Sequence, residues 1–296
     1  MSPVFVATLV ADKERRPLSD ALLGSAAQAV QGFRGSAVLS PGVAADLYFD
    51  VEDGALPSLE ALLFPEGVDV IVQRAAMRAK RLIVADMDST LIGQECVDEL
   101  AKLAGVGDRV AAITERAMQG EIEFESALKE RVALLAGLPV AAIDALLSDR
   151  IVLNEGARVL FRTMRKAGAY TAVVSGGFAP FTAEIAKRLE AHEHRANRLG
   201  VADGRLTGEV LPPILGREAK LAALKDLTAR LALPREATLA VGDGANDLAM
   251  LGAAGLGVAY RAKPRVAAMA AARLDHADLT ALLYAQGIAR EAFVAD

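Results

Sequence analysis

The sequence predicts an α/β protein whose main part is a parallel sheet with helices on both faces. From residue 156 onward, short apolar runs alternate with segments of helical periodicity, which is typical of such a sheet. An earlier run, residues 82–85, is apolar throughout, as expected for a strand that is buried on both faces. Two carboxylates, Asp86 and Asp88, end that strand. Because ligands bind at the carboxyl ends of the strands in open α/β sheets, we expect a functional site there.

The first 75 residues have the pattern of a second, smaller domain. They contain predicted strands at 4–10, 36–40, 45–51 and 68–72, and predicted helices at 20–30 and 58–63. The resulting order is βαββαβ, that of a ferredoxin-like domain. Residues 74–80 follow as a predicted linker. We therefore predict two domains, residues 1–75 and residues 76–296.

Helices interrupt the sheet pattern directly after the first strand of the larger domain. The segments predicted to be helical are 94–104, 108–119, 123–136 and 140–148. Gly120 and Pro139 separate some of them, because both residue types interrupt helices. We expect a helical cap, about residues 94–150, that is inserted into the α/β core.

The α/β alternation resumes after this insertion. Helices are predicted at 156–167, 180–190, 217–231 and 246–252, and strands at 170–174, 238–241 and 256–259. Residues 195–210 predict a hairpin that turns at Asp203-Gly204. Two further helices are expected to close the chain.

Composition and charge narrow the classes of function. The chain is 53% hydrophobic and 24% charged with a formal net charge of −5, which gives no electrostatic reason to expect nucleic-acid binding. The longest apolar stretch, about residues 132–143, is too short to span a bilayer and contains Pro139. The N-terminus has no basic leader, and Cys96 is the only cysteine. We therefore expect a cytoplasmic location without membrane association.

Polar residues cluster at strand ends and helix starts of the larger domain. They lie in Asp86-Met-Asp-Ser-Thr90, in Ser175-Gly-Gly177, at Lys220 and in Gly242-Asp-Gly-Ala-Asn-Asp247. Each has an ordinary explanation by itself, such as a turn, a helix cap or a solvated lysine. Together they supply oxygen ligands for a hard cation such as Mg²⁺, backbone N–H donors and a positive charge. This combination suits the binding of a phosphoryl group.

These motifs, in this order, are similar to those of the haloacid-dehalogenase superfamily, whose phosphatases use an aspartate nucleophile. Within it, the sequence resembles the phosphoserine phosphatases over roughly residues 80–290. The specific signals are DMDST at 86–90 with Glu95 nearby, VSGGF at 174–178 and GDGAND at 242–247. The resemblance implies a Rossmann-like core with an inserted cap, and hydrolysis of a small phosphate monoester.

The resemblance also implies different roles for the first two carboxylates. Asp86 is expected to attack phosphorus and form an aspartyl-phosphate. Asp88 is expected to protonate the departing alkoxide, and then to deprotonate the water that hydrolyses the intermediate. Asp88 must therefore hold a proton at neutral pH, so we expect its environment, including nearby negative charge, to raise its pKa.

A Mg²⁺ site and a phosphate site follow from the same resemblance. The implied Mg²⁺ ligands are the Asp86 carboxylate, the backbone carbonyl of Asp88, Asp243 and a phosphate oxygen. The groups implied to hold the other phosphate oxygens are Ser175, the N–H of Gly176 and Lys220. Asn246 and Asp247 are expected to support these groups, Asp247 by orienting either Lys220 or a metal-bound water.

The cap is where the resemblance places recognition of the substrate's amino-acid end. Glu95 is expected to bind an ammonium group, and Arg131 to grip a carboxylate with two parallel hydrogen bonds. Met118 and Phe124 match apolar residues that close over the substrate. An ordinary surface charge on a helix is the alternative for Arg131.

The expected function is therefore hydrolysis of O-phospho-L-serine to L-serine and phosphate, a reaction of serine biosynthesis. One alternative is a phosphatase or phosphotransferase of the same superfamily that acts on another small phosphorylated amine or alcohol. A second is an amino-acid-binding regulatory protein with a vestigial phosphatase site. The intact set of charged motif residues favours the enzyme.

The smaller domain resembles an ACT-type amino-acid-sensing domain in length, element order and position. Members that bind amino acids usually carry a glycine in the first strand-to-helix turn, and residues 11–17 contain none. A structural role, or formation of a homodimer through this domain, is therefore expected at least as much as regulation.

Overall fold

A computed structural model of the chain describes residues 4–12, 17–51, 55–118 and 121–295. The described residues form one antiparallel sheet of four strands and one predominantly parallel sheet of seven strands. Helices pack on both faces of the larger sheet. The predicted fold class is therefore confirmed.

The smaller sheet belongs to the N-terminal part of the chain. Its strands are β1 (Phe5–Ala11), β2 (Phe33–Ser40), β3 (Ala44–Phe49) and β4 (Val68–Arg74), and its helices are α1 (Asp20–Ala29) and α2 (Ala55–Leu63). The strand order is β2-β3-β1-β4 with antiparallel neighbours, which is the ferredoxin-like topology. Helix α1 begins after Ser19, whose side chain accepts a hydrogen bond from the N–H of Leu22 (3.2 Å).

The larger sheet carries the strands that follow residue 80. They are β5 (Leu82–Ala85), β6 (Tyr170–Phe178), β7 (Glu193–Ala202), β8 (Arg205–Leu211), β9 (Thr238–Gly242), β10 (Leu256–Tyr260) and β11 (Ala272–Leu274). The order is β11-β10-β9-β5-β6-β7-β8, and all neighbours are parallel except the hairpin of β7 and β8. Strand β5 is central and completely buried.

Ten helices belong to the described part of the chain after residue 80. Those of the cap are α3 (Cys96–Leu103), α4 (Gly107–Met118), α5 (Phe124–Ala133) and α6 (Ala141–Asp149). Those of the core are α7 (Ala157–Lys166), α8 (Ala179–Leu189), α9 (Arg217–Arg230), α10 (Leu248–Ala253), α11 (Pro264–Ala267) and α12 (Ala281–Ala285).

The side chains of β5 show why both faces of the sheet must be covered. Leu82 and Val84 pack in one apolar core with residues of α9 and α10. Ile83 and Ala85 point to the opposite core, which includes residues of α7 and α8. Alternate residues of a strand face opposite sides of the sheet, so a run of apolar residues requires apolar layers on both sides.

One prediction about the closing segment was wrong. The closing segment was predicted to contain only helices, but it also includes β11, which is three residues long and too short for a period-2 pattern. Residues 74–80, predicted to be a linker, run between β4 and β5, and they are also held by hydrogen bonds.

Arg78, in that segment, joins the smaller sheet to helix α12 of the larger part. Its guanidinium donates to both carboxylate oxygens of Asp46 on β3, at 2.7 and 3.0 Å. It also donates to the carbonyl of Tyr284 (2.9 Å) and that of Ala285 (3.3 Å) on α12. The predicted division into residues 1–75 and 76–296 stays a prediction, but the two parts share a polar interface.

Asp69 of β4 makes a second contact between the two parts. Its carboxylate accepts hydrogen bonds from the N–H groups of Asp275 (3.0 Å), His276 (3.0 Å) and Ala277 (2.8 Å). The smaller sheet therefore packs against the segment that follows β11. Within the described ranges, no helix combines the length and the apolar character that crossing a bilayer requires.

Candidate active site

The three predicted motifs that follow strands meet at one edge of the larger sheet. Strand β5 lies between β6 and β9, and Ala85 is in register with Val173 on one side and Val241 on the other. Because all three strands are parallel, their carboxyl ends lie side by side. Asp86, the Ser175 loop and Asp243 are thereby brought together.

A buried ion-pair group occupies the centre of this edge. The Nζ of Lys220 lies 2.7 Å from Oδ2 of Asp86 and 2.7 Å from Oδ1 of Asp247. The three residues are between 0 and 5% exposed. Lys220 comes from the first turns of α9, and Asp247 immediately precedes α10. The lysine bridges two carboxylates, which matches one of the two roles predicted for Asp247.

A third carboxylate leaves this group with an excess of negative charge. Oxygen atoms of Asp86, Asp243 and Asp247 all lie within 4.8 Å of one another. The hydroxyl of Thr90 donates to Oδ1 of Asp243 (3.0 Å) and holds that side chain in place. Three carboxylates around one lysine offer an all-oxygen donor set, which fits a hard divalent cation. This cluster could therefore bind a metal ion.

The pKa values of the carboxylates also indicate that the cluster has more negative than positive charge. Burial, together with the charges of Asp247 and Asp243, raises the pKa of Asp86 well above its usual value, and Lys220 opposes this rise. Burial and Asp247 raise the pKa of Asp243 to about 6. A bound cation favours the ionised carboxylates and would reverse both shifts.

Asp88 stands in a different environment from that of Asp86. Its Oδ1 accepts a hydrogen bond from the N–H of Cys96 (3.3 Å) at the start of α3. Burial, followed by the negative charge of Glu95, raises the pKa of Asp88 to about 7. This is the direction that a proton donor at neutral pH requires. Among the described residues, the Asp88 carboxylate is not part of the three-carboxylate cluster.

The Ser175 loop leaves the ladder between β6 and β7. Ser175, Gly176 and Gly177 lie within β6, but the pairing with β7 is irregular between Val174 and Phe178, and these three residues have no register partner on β7. The N–H of Gly177 donates to Oγ of Ser175 (2.8 Å) instead. The Ser175 hydroxyl is used there as an acceptor, so its hydrogen is available to another oxygen.

Glycines allow the loops of the site to approach each other closely. A Cβ at Gly177 would lie 2.8 Å from Oδ2 of Asp88. A Cβ at Gly242 would lie 2.3 Å from Cγ of Asp247, and one at Gly244 only 2.2 Å from Oδ1 of Asn246. Larger residues at these positions would collide with Asp88, Asp247 and Asn246. The predicted residue Asn246 therefore lies against the same turn as Asp247.

The cap covers this edge of the sheet. The ring of Phe124, at the start of α5, comes within 3.2 Å of the place that a Cβ on Gly176 would occupy. Burial lowers the pKa of Arg131, while the charges of Asp98, Glu95 and Asp88 act in the opposite direction.

Arg131 is therefore a half-buried cation among the carboxylates near Asp88, and not an ordinary surface charge. Glu95 is exposed and accepts a hydrogen bond from the hydroxyl of Ser89 (2.6 Å). Met118 ends α4, and its side chain lies outside the described part of the structure. Phe124 therefore contacts the core motifs directly, and Arg131 and Glu95 lie near enough to Asp88 for their charges to act on it or on each other.

Some polar residues of the site were not predicted. Thr90 ends the motif at 86–90, but its partner was not predicted: it holds Asp243, which is 153 residues away in sequence. The amide of Asn154 donates to the Thr90 carbonyl (2.8 Å). Asn197 binds the loop at Gly176. No local pattern indicates these residues, because each acts on a partner that is distant in the chain.

A family model for haloacid dehalogenase-like hydrolases matches residues 83–252. A phosphoserine phosphatase of Mycobacterium tuberculosis is 47% identical over 227 residues, which cover 76% of this chain and 55% of that protein. A phosphoserine phosphatase of Streptococcus thermophilus is 44% identical over 200 residues, which cover 68% of this chain and 93% of that protein. The chain thus spans little more than half the length of some of these relatives and nearly all of others.

Solved structures share the fold over the whole chain. A haloacid dehalogenase family hydrolase of Salmonella enterica serovar Typhi superposes with a TM-score of 0.84 at 28% identity, covering 95% of this chain and 97% of that one. A probable phosphoserine phosphatase of Vibrio cholerae superposes with a TM-score of 0.77 at 32% identity, covering 98% of this chain and 88% of that one. Both likenesses include the N-terminal sheet as well as the larger one.

Proposed function

The chain belongs to the haloacid dehalogenase-like hydrolases, and on that premise we propose that it hydrolyses O-phosphoserine to serine and inorganic phosphate. The observation that carries the proposal is the buried group of Asp86, Lys220 and Asp247, next to Asp88 with its raised pKa. Relatives named phosphoserine phosphatases support the choice of substrate.

Asp86 is the proposed nucleophile. A carboxylate oxygen attacks phosphorus, the bond between phosphorus and the serine oxygen breaks, and the phosphoryl group is carried on Asp86. The leaving alkoxide takes the proton of Asp88. The pKa of about 7 means that a substantial fraction of Asp88 holds that proton at neutral pH.

Asp88 acts in the opposite sense in the second half of the reaction. Its carboxylate takes a proton from a water molecule, the resulting oxygen attacks the phosphorus, and the bond to Asp86 breaks. Inorganic phosphate leaves, and both aspartates return to their starting protonation. Asp88 lies close enough to the Ser175 loop that a Cβ on Gly177 would meet it, so it is placed beside the proposed phosphate position.

Mg²⁺ is the proposed metal, held by Asp86, Asp243 and the backbone carbonyl of Asp88. The cluster supports this choice through its oxygen donors and its excess of negative charge. When bound, the ion neutralises charge on the phosphoryl oxygens and keeps Asp86 ionised. Asp247 and Asn246 support the cluster, Asp247 through its bond to Lys220.

The proposed phosphate site uses the hydroxyl of Ser175, the N–H of Gly176 and the ammonium of Lys220. The Ser175 hydrogen is available because Oγ serves as the acceptor for Gly177. Lys220 is already desolvated and fixed by two carboxylates, so it needs no reorganisation to bind an oxygen anion. These fixed charges supply the electrostatic stabilisation that hydrolysis of a phosphate monoester requires.

The amino-acid end of the substrate is proposed to bind under the cap. Arg131 binds the carboxylate, Glu95 binds the ammonium group, and Phe124 and Met118 cover the bound molecule. The half-buried position of Arg131 supports this assignment, because its guanidinium is partly desolvated and lies near the charges of Asp98, Glu95 and Asp88.

The experiment that tests the function is a phosphate-release screen over small phosphorylated metabolites, with and without Mg²⁺. Phosphoserine is expected to be the best substrate, and a phosphorylated amine or alcohol that is clearly better would replace it. Arg131→Ala should reduce hydrolysis of phosphoserine far more than hydrolysis of an aryl phosphate that has no carboxylate. Lys129→Ala, at an exposed position of the same helix, is the matched control and should affect neither substrate.

The N-terminal residues 1–75 are proposed to form an ACT-like domain through which two chains associate. Its edge strand β2 exposes apolar side chains, with Phe33 43% and Val38 61% exposed. Sedimentation of the full chain and of Val38→Lys tests this, and equal masses of one chain would contradict it. A cytoplasmic location is proposed as well, supported by the unpaired, buried Cys96.

A further inference from the structure

Asn197 is a buried amide that the reaction steps above do not use. It lies in β7 and is 0% exposed. Its Nδ2 donates to the carbonyl of Gly176 (2.8 Å) and to the carbonyl of Leu215 (3.1 Å). Its Oδ1 accepts a hydrogen bond from the N–H of Leu215 (2.6 Å). One side chain therefore joins the last residues of β6 to the segment that leads into α9.

The first of these segments forms the proposed phosphate loop. The peptide between Gly176 and Gly177 is held on both sides, by Asn197 at its carbonyl and by Oγ of Ser175 at its N–H (2.8 Å). Because a peptide group is planar, these two bonds together fix its orientation. Asn197 thus keeps the Ser175 hydroxyl engaged as an acceptor, with its hydrogen directed elsewhere.

The second segment leads into the helix that carries Lys220. Leu215 comes directly before Gly216, the N-cap of α9, and Lys220 follows in the first turns of that helix. Asn197 binds both the N–H and the carbonyl of Leu215, so the start of α9 is fixed in both directions. The carbonyl oxygen of Leu215 also lies 4.0 Å from the place that a Cβ on Gly176 would occupy. The two segments are therefore in contact at Asn197.

We propose that Asn197 is a positioning residue, which sets the distance between the Ser175–Gly177 loop and Lys220 so that both reach the same phosphoryl group. The inference rests on the proposed function, since it concerns the groups that hold phosphate there. A residue that serves only the stability of the fold would leave phosphate affinity unchanged, whereas a positioning residue sets it.

Asn197→Asp is the sharpest test, because the side chain keeps its shape and its acceptor but loses both N–H donors. The KM for phosphoserine and the inhibition constant of inorganic phosphate are both expected to rise at least about tenfold, since small displacements of binding groups carry large kinetic costs. The half-saturating Mg²⁺ concentration should stay unchanged, because Asn197 does not touch the carboxylate cluster. Asn197→Ser gives the same measurement without a new charge.

Leu199→Ala is the matched control for loss of stability. Leu199 is a buried apolar residue of the same strand. It should lower the melting temperature while leaving the phosphoserine KM and the phosphate inhibition constant at wild-type values. Asn197 variants that behave like Leu199→Ala would overturn the proposal. So would the failure of both Asn197 variants to fold where Leu199→Ala folds, because Asn197 would then be a structural residue.

The outcome for the wild-type chain separates this inference from the proposed function. If the wild-type chain releases no phosphate from phosphoserine, the proposed function fails, and the positioning role fails with it. If the wild-type chain is active and the two constants do not change in the Asn197 variants, only the positioning role fails.

Discussion

Buried carboxylates occur in two regions of this molecule, and the two regions differ in how the protein compensates their negative charge. At the interface of the two sheets, Asp46 receives hydrogen bonds from Thr8 (2.8 Å), from two nitrogens of Arg78 (2.7 and 3.0 Å) and from Tyr48 (3.3 Å). At the carboxyl edge of the larger sheet, three carboxylates share one lysine.

The two regions differ in how many positive or donor groups of the protein surround each carboxylate. Asp46 and Asp69 are buried, but each is surrounded by donors of the protein itself, three backbone N–H groups in the case of Asp69. Asp86, Asp243 and Asp247 have less positive charge around them than negative charge of their own. Burial of charge is costly unless it is compensated, so this excess of carboxylates suits a group that could bind a metal ion.

The largest expected effect comes from removing the nucleophile. Asp86→Asn should reduce kcat for phosphoserine by at least about 10⁴-fold, as the loss of a nucleophile does in other covalent enzymes. Asp46→Asn makes the same chemical change at the interface and should keep kcat per folded molecule near the wild-type value. Steady-state phosphate release on both variants measures this, and substantial turnover by Asp86→Asn would remove it from the nucleophile's role.

The next prediction concerns the free energy of unfolding, and the residues that are changed lie at the interface. Arg78→Met leaves Asp46 buried without its cation, and we expect it to cost about 3–5 kcal/mol of unfolding free energy. Adding Asp46→Asn to that variant should restore part of the loss, because the unpaired charge is removed. Urea unfolding measures both. A loss below about 1 kcal/mol for Arg78→Met would mean that this ion pair stabilises the fold no more than an ordinary surface ion pair does.

The two regions also differ in how far the sequence predicts them. The carboxyl edge could be predicted, because buried strands and the motifs Asp86–Thr90 and Gly242–Asp247 are contiguous in sequence and the parallel topology then brings them together. Lys220 could be singled out only together with the other motifs, and neither its burial nor its 2.7 Å distances to two carboxylates could be predicted, since a single lysine in a helix has no local signature.

The interface was not predicted at all. Arg78 lies in a short polar segment that has the composition of a linker, and its partner Asp46 is 32 residues away on a strand whose alternation gives no sign of what covers its second face. Thr90 and Asn197 were missed for the same reason, because their hydrogen bonds join residues that only the complete fold brings together. Local periodicity specifies elements, whereas polar contacts between elements depend on the packed structure.

The third effect tests the excess of negative charge directly. Asp243→Asn keeps an oxygen that can accept from Thr90 but removes one charge from the cluster. The Mg²⁺ concentration for half-maximal activity should rise at least about tenfold. Asp69→Asn, which changes a buried carboxylate of the interface, should leave the Mg²⁺ titration unchanged. Identical titrations for Asp243→Asn and the wild-type chain would count against Asp243 as a ligand.

The smallest effect concerns the pKa of Asp88, which burial and the charge of Glu95 raise to about 7. Glu95→Gln removes that charge, so the pKa of Asp88 should fall and its proton should be lost at lower pH. Since the protonated form drives the first step, the alkaline limb of the kcat profile should move to lower pH by less than about one unit. An alkyl phosphate without an amino group isolates this effect from ammonium binding.

Glu99→Gln provides the control for that shift. Glu99 lies on the same helix as Cys96 but is paired with Lys102 (2.5 Å) and Arg150 (3.3 Å), so its charge is already balanced. Its removal should leave the alkaline limb in place. A limb that moves equally in both variants would mean that the general charge of the cap sets the profile. A limb that moves only in Glu95→Gln would show that the charge of this one carboxylate tunes the acid.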